Sequence, residues 1–290
     1  MLKIRDIETG YGKVKILQGV ELTVPKAGIV ALLGGNGTGK STLLKCVSGL
    51  LRPWSGTIEF DGQSISGLRP DRIVRLGLVQ VTQSKDSFPV LTVDENLRMG
   101  AYTRSDRAGI AEDMDKVFEY FPVLKERRSQ LAATLSGGEI QMMVIGRGLM
   151  ARPKMIMFDE PSSALSPKVV SDICSAIGRI RDEGITILLV EQNVNMALML
   201  ADYGYIIRDG RVDIEGKSDT LIDSAAVRQA YFGGTVANLS KEIKNEGTTT
   251  GWQGRDYHGR SWWYRIEADE GFPERRSEGG GCRLQRGSAR

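Results

Sequence analysis

Along the first 234 positions, apolar residues fall into distinct rhythms. The stretches 29–33, 155–158 and 185–190 are nearly unbroken apolar runs, as in strands covered on both faces of a parallel sheet. Positions 4–7 and 20–24 mix apolar and polar residues, and 57–60 runs into Asp61-Gly62. This predicts half-exposed strands of an antiparallel layer with a tight turn after the third. Helical spacing governs 93–101, 114–121 and 140–150, and Thr92-x-x-Glu95 supplies a capping box for the first. The pattern predicts an α/β core with a mainly parallel sheet, a flanking antiparallel β layer and a mainly helical subdomain at about 86–150. No repeat of solenoid length interrupts it.

At Gly233-Gly234 the rhythm stops. From Thr235 to Arg290 only five of 56 residues are Val, Leu, Ile or Met, while nine are glycine and ten are Lys or Arg. That is too little aliphatic content for a core, so residues 235–290 are expected to form a disordered C-terminal tail. The sharper alternative is a docking segment anchored by Trp262-Trp263-Tyr264. An aberrant reading frame after Gly234 would also explain the composition.

Whole-chain composition excludes several classes. The 290 residues are 41% apolar and 26% charged, with net charge +3, too balanced to imply nucleic acid. No apolar run approaches the roughly 18–20 residues that cross a bilayer, and residues 1–6 lack a signal-like run. The chain is therefore expected in the cytosol or on the inner face of a membrane. Cys46, Cys174 and Cys282 are too scattered for a disulfide or zinc framework. His258 is the only histidine, so chemistry in the main block must proceed without one.

Three motifs carry chemistry. Gly34-Gly35-Asn36-Gly37-Thr38-Gly39-Lys40-Ser41 follows a buried strand, opens a helix and fits G-x-x-x-x-G-K-[ST] at every fixed position. Its glycines let successive N–H groups turn inward to phosphates, Lys40 reaches the β and γ oxygens, and Ser41 ligates Mg²⁺. Further on, an apolar strand ends in Asp159-Glu160. Alone this is a weak signal; paired with the phosphate loop, it suits Asp159 to holding Mg²⁺ through water and Glu160 to polarising the water that attacks the γ-phosphate. The third motif, Leu135-Ser136-Gly137-Gly138-Glu139, precedes the helix at 140–150. Ser136 and Glu139 form a capping box, and two glycines leave bare N–H groups open to a second anion.

In this order and spacing, the motifs resemble the nucleotide-binding domain of ABC transporters, over about residues 2–234. The resemblance implies a P-loop NTPase fold of ABC type, with residues 1–234 as the ATP-binding domain, and an ATPase coupled to transmembrane transport. Two such domains pair head to tail, each ATP lying between one phosphate loop and the other's Ser136, Gly137 and Gly138. Further positions matching the family are Thr42 beside the loop, Tyr11 as the aromatic on adenine and Gln83 as a Mg²⁺ contact that senses the permease. The helical segment would meet that permease.

Longer strings, among them Val190-Glu191-Gln192-Asn193 and Ala230-Tyr231-Phe232-Gly233-Gly234, are similar to the LivF-type ATPase subunits of branched-chain amino acid importers. This implies ATP and Mg²⁺ as cofactors, a LivG-type ATPase in a heterodimer, two permease subunits, an external substrate-binding protein, no nucleic acid, and a peripheral place on the cytoplasmic face of the plasma membrane. Uptake of urea, amides or other amino acids is the alternative, with a soluble ABC ATPase as the rival class. Departures from the family are informative. Gln192 stands where a histidine usually contacts the γ-phosphate, and an amide donates a hydrogen bond but cannot become a cation near neutral pH. Slower or partner-dependent hydrolysis is therefore expected. Ser163-Ala164-Leu165-Ser166 ends in serine where the dimer-contact loop commonly ends in aspartate, and Ser166-Pro167 suits a helix start. Gln83 replaces an acidic residue usual in that subfamily, and the 56-residue tail is also atypical.

Overall fold

The computed structural model describes residues 1–224 and Val227, and the backbone of two further short strands. Contacts divide the chain into two units, Met1–Thr235 and Val236–Arg290. Apart from those two strands, the residues of 235–290 on which disorder is expected fall outside the described ones, His258 and Cys282 among them. In the second unit, β11 (Gln253–Arg255) and β12 (Ser261–Trp263) pair antiparallel.

In the first unit, β1 (Leu2–Tyr11), β2 (Val14–Val24), β4 (Ser55–Phe60) and β5 (Gln63–Ser64) form an antiparallel sheet in the order β2-β1-β4-β5. Asp61 and Gly62 both take positive φ, 50° and 82°, the backbone of the tight turn that Asp-Gly favours. A second sheet runs β10-β9-β3-β8-β7-β6. Its members are β3 (Ile29–Leu33), β6 (Leu78–Val81), β7 (Met155–Asp159), β8 (Thr186–Glu191), β9 (Tyr203–Arg208) and β10 (Arg211–Lys217). All are parallel except β10, which returns antiparallel to β9. Every residue of β3, β7 and β8 is buried, so the unbroken apolar runs are interior strands.

Helix α1 (Lys40–Val47) lies between the layers. Its Leu43, Leu44, Cys46 and Val47 share one core with Ile4, Leu17 and Ile58 of the antiparallel sheet and Leu32, Met157 and Val190 of the other. Between β5 and β6 is α2 (Pro70–Arg75). Between β6 and β7 stand α3 (Val93–Gly100), α4 (Arg107–Tyr120), α5 (Pro122–Glu126) and α6 (Gly137–Leu149). Beyond β7 follow α7 (Pro167–Asp182), α8 (Val194–Leu200) and α9 (Ser218–Ile222). A Cβ on Gly148 of α6 would meet Val79, Val81 and Ile156. That helix therefore covers the face of the sheet away from α1.

Several boundaries differ from the sequence reading. Helix α4 begins at Arg107 rather than 114, because its first turn is polar or only partly covered and apolar spacing starts with Met114. Helix α6 begins at Gly137 rather than 140: glycine is a poor helix former, and the capping box sets this start. Strands β1 and β2 are longer than 4–7 and 20–24, and their pairing carries register shifts that blur the alternation.

Candidate functional site

Strand order places the site. Reading β3, β8, β7 and β6 across the sheet, the residues just beyond their C-terminal ends are Gly34 to Asn36, Gln192, Glu160 and Gln83. Parallel sheets bind ligands along this edge. The four loops are neighbours although Gln83 and Glu160 lie 77 residues apart.

The phosphate loop wraps its own lysine. Lys40, only 4% exposed, donates from Nζ to the carbonyls of Gly34 at 2.8 Å and Gly35 at 2.9 Å. Gly35, Asn36 and Gly37 are exposed, and Thr38 Oγ1 braces the turn by donating to the Gly35 carbonyl at 2.9 Å. Gly39 has φ 108° and precedes α1 with no side-chain cap, which leaves the first N–H groups of the helix free for an anion. A side chain at Gly39 would be strained by this φ and would strike Leu17 at 2.6 Å. Thr42 is buried within α1.

Glu160 is the hub. Its Oε2 accepts from Gln83 Nε2 at 2.9 Å and from Gln192 Nε2 at 2.7 Å, and Oε1 lies 3.4 Å from Lys40 Nζ. Gln192 also donates to Asn36 Oδ1 at 2.7 Å. The structure thus joins Asn36, Lys40, Gln83, Glu160 and Gln192 in one network. Beside it, Ser41 Oγ donates to Asp159 Oδ1 at 3.3 Å. Burial pushes the Asp159 carboxyl above its ordinary range, with the Ser41 hydrogen bond opposing and the Glu160 charge reinforcing. A hydroxyl next to a carboxylate, both hard oxygen donors, fits a magnesium ion that keeps most of its shell as water and phosphate. Among the described residues no group of three or more His, Cys, Asp or Glu is placed to hold a metal ion.

Tyr11 ends β1 with a half-exposed ring. Lys45 of α1 lies 5.7 Å from its centroid and donates to its hydroxyl at 3.4 Å. A planar ligand at the phosphate loop would find this aromatic beside the same helix.

Ser136, Gly137 and Gly138 make none of these contacts. Glu139 N–H donates to Ser136 Oγ at 3.3 Å, and Ser136 N–H donates to Glu139 Oε2 at 2.8 Å, so the capping box is complete. Arg127 Nε lies 2.6 Å from Glu139 Oε1. Burial raises the Glu139 carboxyl, but the Ser136 donors and Arg127 outweigh it and hold the group below its usual range. Gly137 is exposed with nothing near its missing Cβ, whereas a Cβ on Gly138 would collide with Val169. The surface at Gly137 is open.

Two residues at the site were not singled out from sequence. Glu191 caps β8 as an acidic end to an apolar run, the same signal that flagged Asp159-Glu160. Lys85 donates to the Ser163 carbonyl at 3.0 Å, and nothing in its sequence setting distinguishes it. At the start of α7 Pro167 takes the first helical position, but the Ser166 hydroxyl makes no cap hydrogen bond. The serine's presence is therefore not explained by capping.

Residues 17–163 match the family described as ABC transporter. Over 234 residues, 81% of this chain and 100% of the relative, the chain is 44% identical to the high-affinity branched-chain amino acid transport ATP-binding protein BraG of Pseudomonas aeruginosa. It is 38% identical to the "Probable branched-chain amino acid transport ATP-binding protein LivF" of Archaeoglobus fulgidus, covering 80% of this chain and 99% of that one. Among solved structures, the ADP conformation of an ATP-binding cassette of an ABC transporter superposes with a TM-score of 0.72 at 28% identity. That match covers 81% of this chain and 99% of the other.

Proposed function

The chain belongs to the ABC transporter family, and from that premise we propose that it is the ATP-hydrolysing subunit of an importer of branched-chain amino acids. One observation carries the chemistry: a buried carboxylate, Glu160, faces the phosphate-loop lysine while two glutamines from neighbouring strand ends hold it. The cargo assignment is supported by the names of the two relatives, each of which aligns with this chain over 234 residues.

In this reading residues 1–234 are the ATP-binding domain. Phosphates enter the hollow of Gly34 to Gly39, where backbone N–H groups and the start of α1 meet them. Lys40 exchanges its hydrogen bonds to Gly34 and Gly35 for β and γ oxygens. Ser41, Thr42 and Tyr11 flank the nucleotide, Tyr11 on the adenine. Ser41, Gln83 and Asp159 would hold magnesium, which when bound neutralises phosphate charge. Glu160 orients the attacking water and draws its proton. Gln192 keeps its hydrogen bond to Glu160 and exchanges the one to Asn36 for a neutral hydrogen bond toward the γ-phosphate.

Ser136, Gly137 and Gly138 serve a second nucleotide held by a partner ATPase. A head-to-tail heterodimer follows, with a LivG-type partner, two permease subunits and an external binding protein. The helices at about 86–150 face the permease. Among the described residues no helix is long and apolar enough to cross a membrane, so attachment to the cytoplasmic face would come through those partners.

A Glu160→Gln chain, held with ATP and extracted from host membranes in mild detergent, tests the assembly. Two polytopic proteins and a second ATPase should co-purify. Recovery of the chain alone, or with ribosomes or DNA, would overturn the transport reading.

A further inference from the structure

Building on the ATPase reading, we propose that Glu191 is a positioning residue for the reaction, its carboxylate clamping the loop after Glu160 so that Glu160 stays aimed at the phosphate loop. Glu191 is the last residue of β8 and only 2% exposed. Its Oε1 accepts the Ser162 N–H at 3.1 Å, and its Oε2 accepts the Gln192 N–H at 3.3 Å. No Lys or Arg among the described residues pairs with it; the charged and titratable neighbours are Glu160 and, on α7, Cys174. A buried carboxylate without a cation is costly, and its presence calls for a reason.

The backbone supplies one. Glu160 takes φ 49°, a left-handed conformation that strains a side-chain-bearing residue. Three amide N–H groups are available from 160 to 163, because Pro161 has none. The Glu160 N–H donates to the Val190 carbonyl at 2.9 Å, and the Ser163 N–H to the Glu160 carbonyl at 3.1 Å. The Ser162 N–H goes to Glu191. Strand β8 therefore holds the turn through two consecutive residues, while Lys85 grips the Ser163 carbonyl from the Gln83 segment. The residue after Glu191 is Gln192, whose amide reaches Glu160. Glu191 thus fixes both ends of the Gln192–Glu160 hydrogen bond.

Only an acceptor-only group satisfies two N–H donors on two oxygens. Glutamine would set its NH₂ against one of them at nearly the same volume. Two measurements on the full-length chain test the clamp. In amide hydrogen exchange, Ser162 should be protected in the wild type and should exchange about tenfold faster or more in Glu191→Gln; equal protection would overturn the proposal. In ATP turnover, Glu191→Gln should lower kcat at least about tenfold with the KM for ATP within about twofold, and Glu191→Asp, which keeps two acceptor oxygens, should lose less. Because the effect runs through Glu160, single-turnover hydrolysis by Glu160→Gln should not fall further when Glu191→Gln is added. A loss that multiplies in that background, or one confined to KM, would mark Glu191 as general scaffolding and overturn the proposal. A wild type that releases no phosphate would sink the ATPase reading and this proposal with it. A working wild type indifferent to Glu191→Gln would sink this proposal alone.

Discussion

Removing the amide at position 192 tests how far Glu160 depends on its neighbours. Gln192 Nε2 makes two hydrogen bonds of 2.7 Å, to Glu160 Oε2 and Asn36 Oδ1, and Gln192→Ala deletes both. A hydrogen bond to a charged group contributes about 1.5–3 kcal/mol. If all of it acted in the transition state, the loss would be about 10- to 150-fold in rate. Gln83 still donates to the same carboxylate oxygen at 2.9 Å, so the expected effect lies at the low end, about tenfold in kcat. Steady-state phosphate release against ATP concentration reads it directly. A Gln192→Ala enzyme within about twofold of wild type, less than about 0.5 kcal/mol, would refute the reasoning. Gln192→His addresses the neutral side chain at this position: imidazole can donate and also become a cation near neutral pH, so hydrolysis should be faster than wild type, most of all at mildly acidic pH. No change would count against a limiting role for Gln192.

Other outcomes follow from the same geometry. Glu160→Gln should cut turnover by about 10²- to 10⁴-fold, the contribution of a positioned base, while ATP affinity measured by equilibrium binding stays close to wild type; substantial residual turnover would remove Glu160 from the chemistry. Asn96, fully buried, accepts the Phe88 N–H at 2.9 Å and donates to the carbonyls of Phe88, Leu91 and Thr92. Asn96→Leu strands these groups and should cost about 2–4 kcal/mol of unfolding free energy in urea, and a loss below about 1 kcal/mol would contradict the assignment. Asp106 is held down to about 2, chiefly by its hydrogen bond from Arg104. A depressed carboxyl stabilises the fold above its unfolded value of about 4 and stops doing so as pH falls through its folded value. The difference in urea midpoint between wild type and Asp106→Asn should therefore be full at pH 6 and narrow steadily below pH 4; a constant gap would show that the ion pair is not the source.

What was legible in the sequence was whatever backbone chemistry writes locally. Glycines and a lysine at fixed spacing specified the phosphate loop, Thr92-x-x-Glu95 and Ser136-x-x-Glu139 specified two caps, and unbroken apolar runs marked strands β3, β7 and β8. The meeting of Asn36, Gln83, Glu160 and Gln192 was not legible from the residues alone, because it depends on the order β3-β8-β7-β6 across the sheet. Tyr11, Gln83 and Gln192 were found through family resemblance, since each is an ordinary residue in its local setting. The β9–β10 hairpin escaped notice because β10 is an edge strand whose residues alternate between exposed and half-covered, with few apolar positions to betray it. Glu191 escaped because its role lies in two backbone donors, one of them on a loop 29 residues away.

Uptake of radiolabelled leucine, isoleucine and valine into proteoliposomes holding the assembled transporter, with ATP supplied to the face that carries this chain, tests the central claim most directly. ATP-driven accumulation that requires the external binding protein and disappears with Glu160→Gln is the predicted result. ATP hydrolysis without accumulation of any of the three, or uptake indifferent to Glu160→Gln, would contradict it.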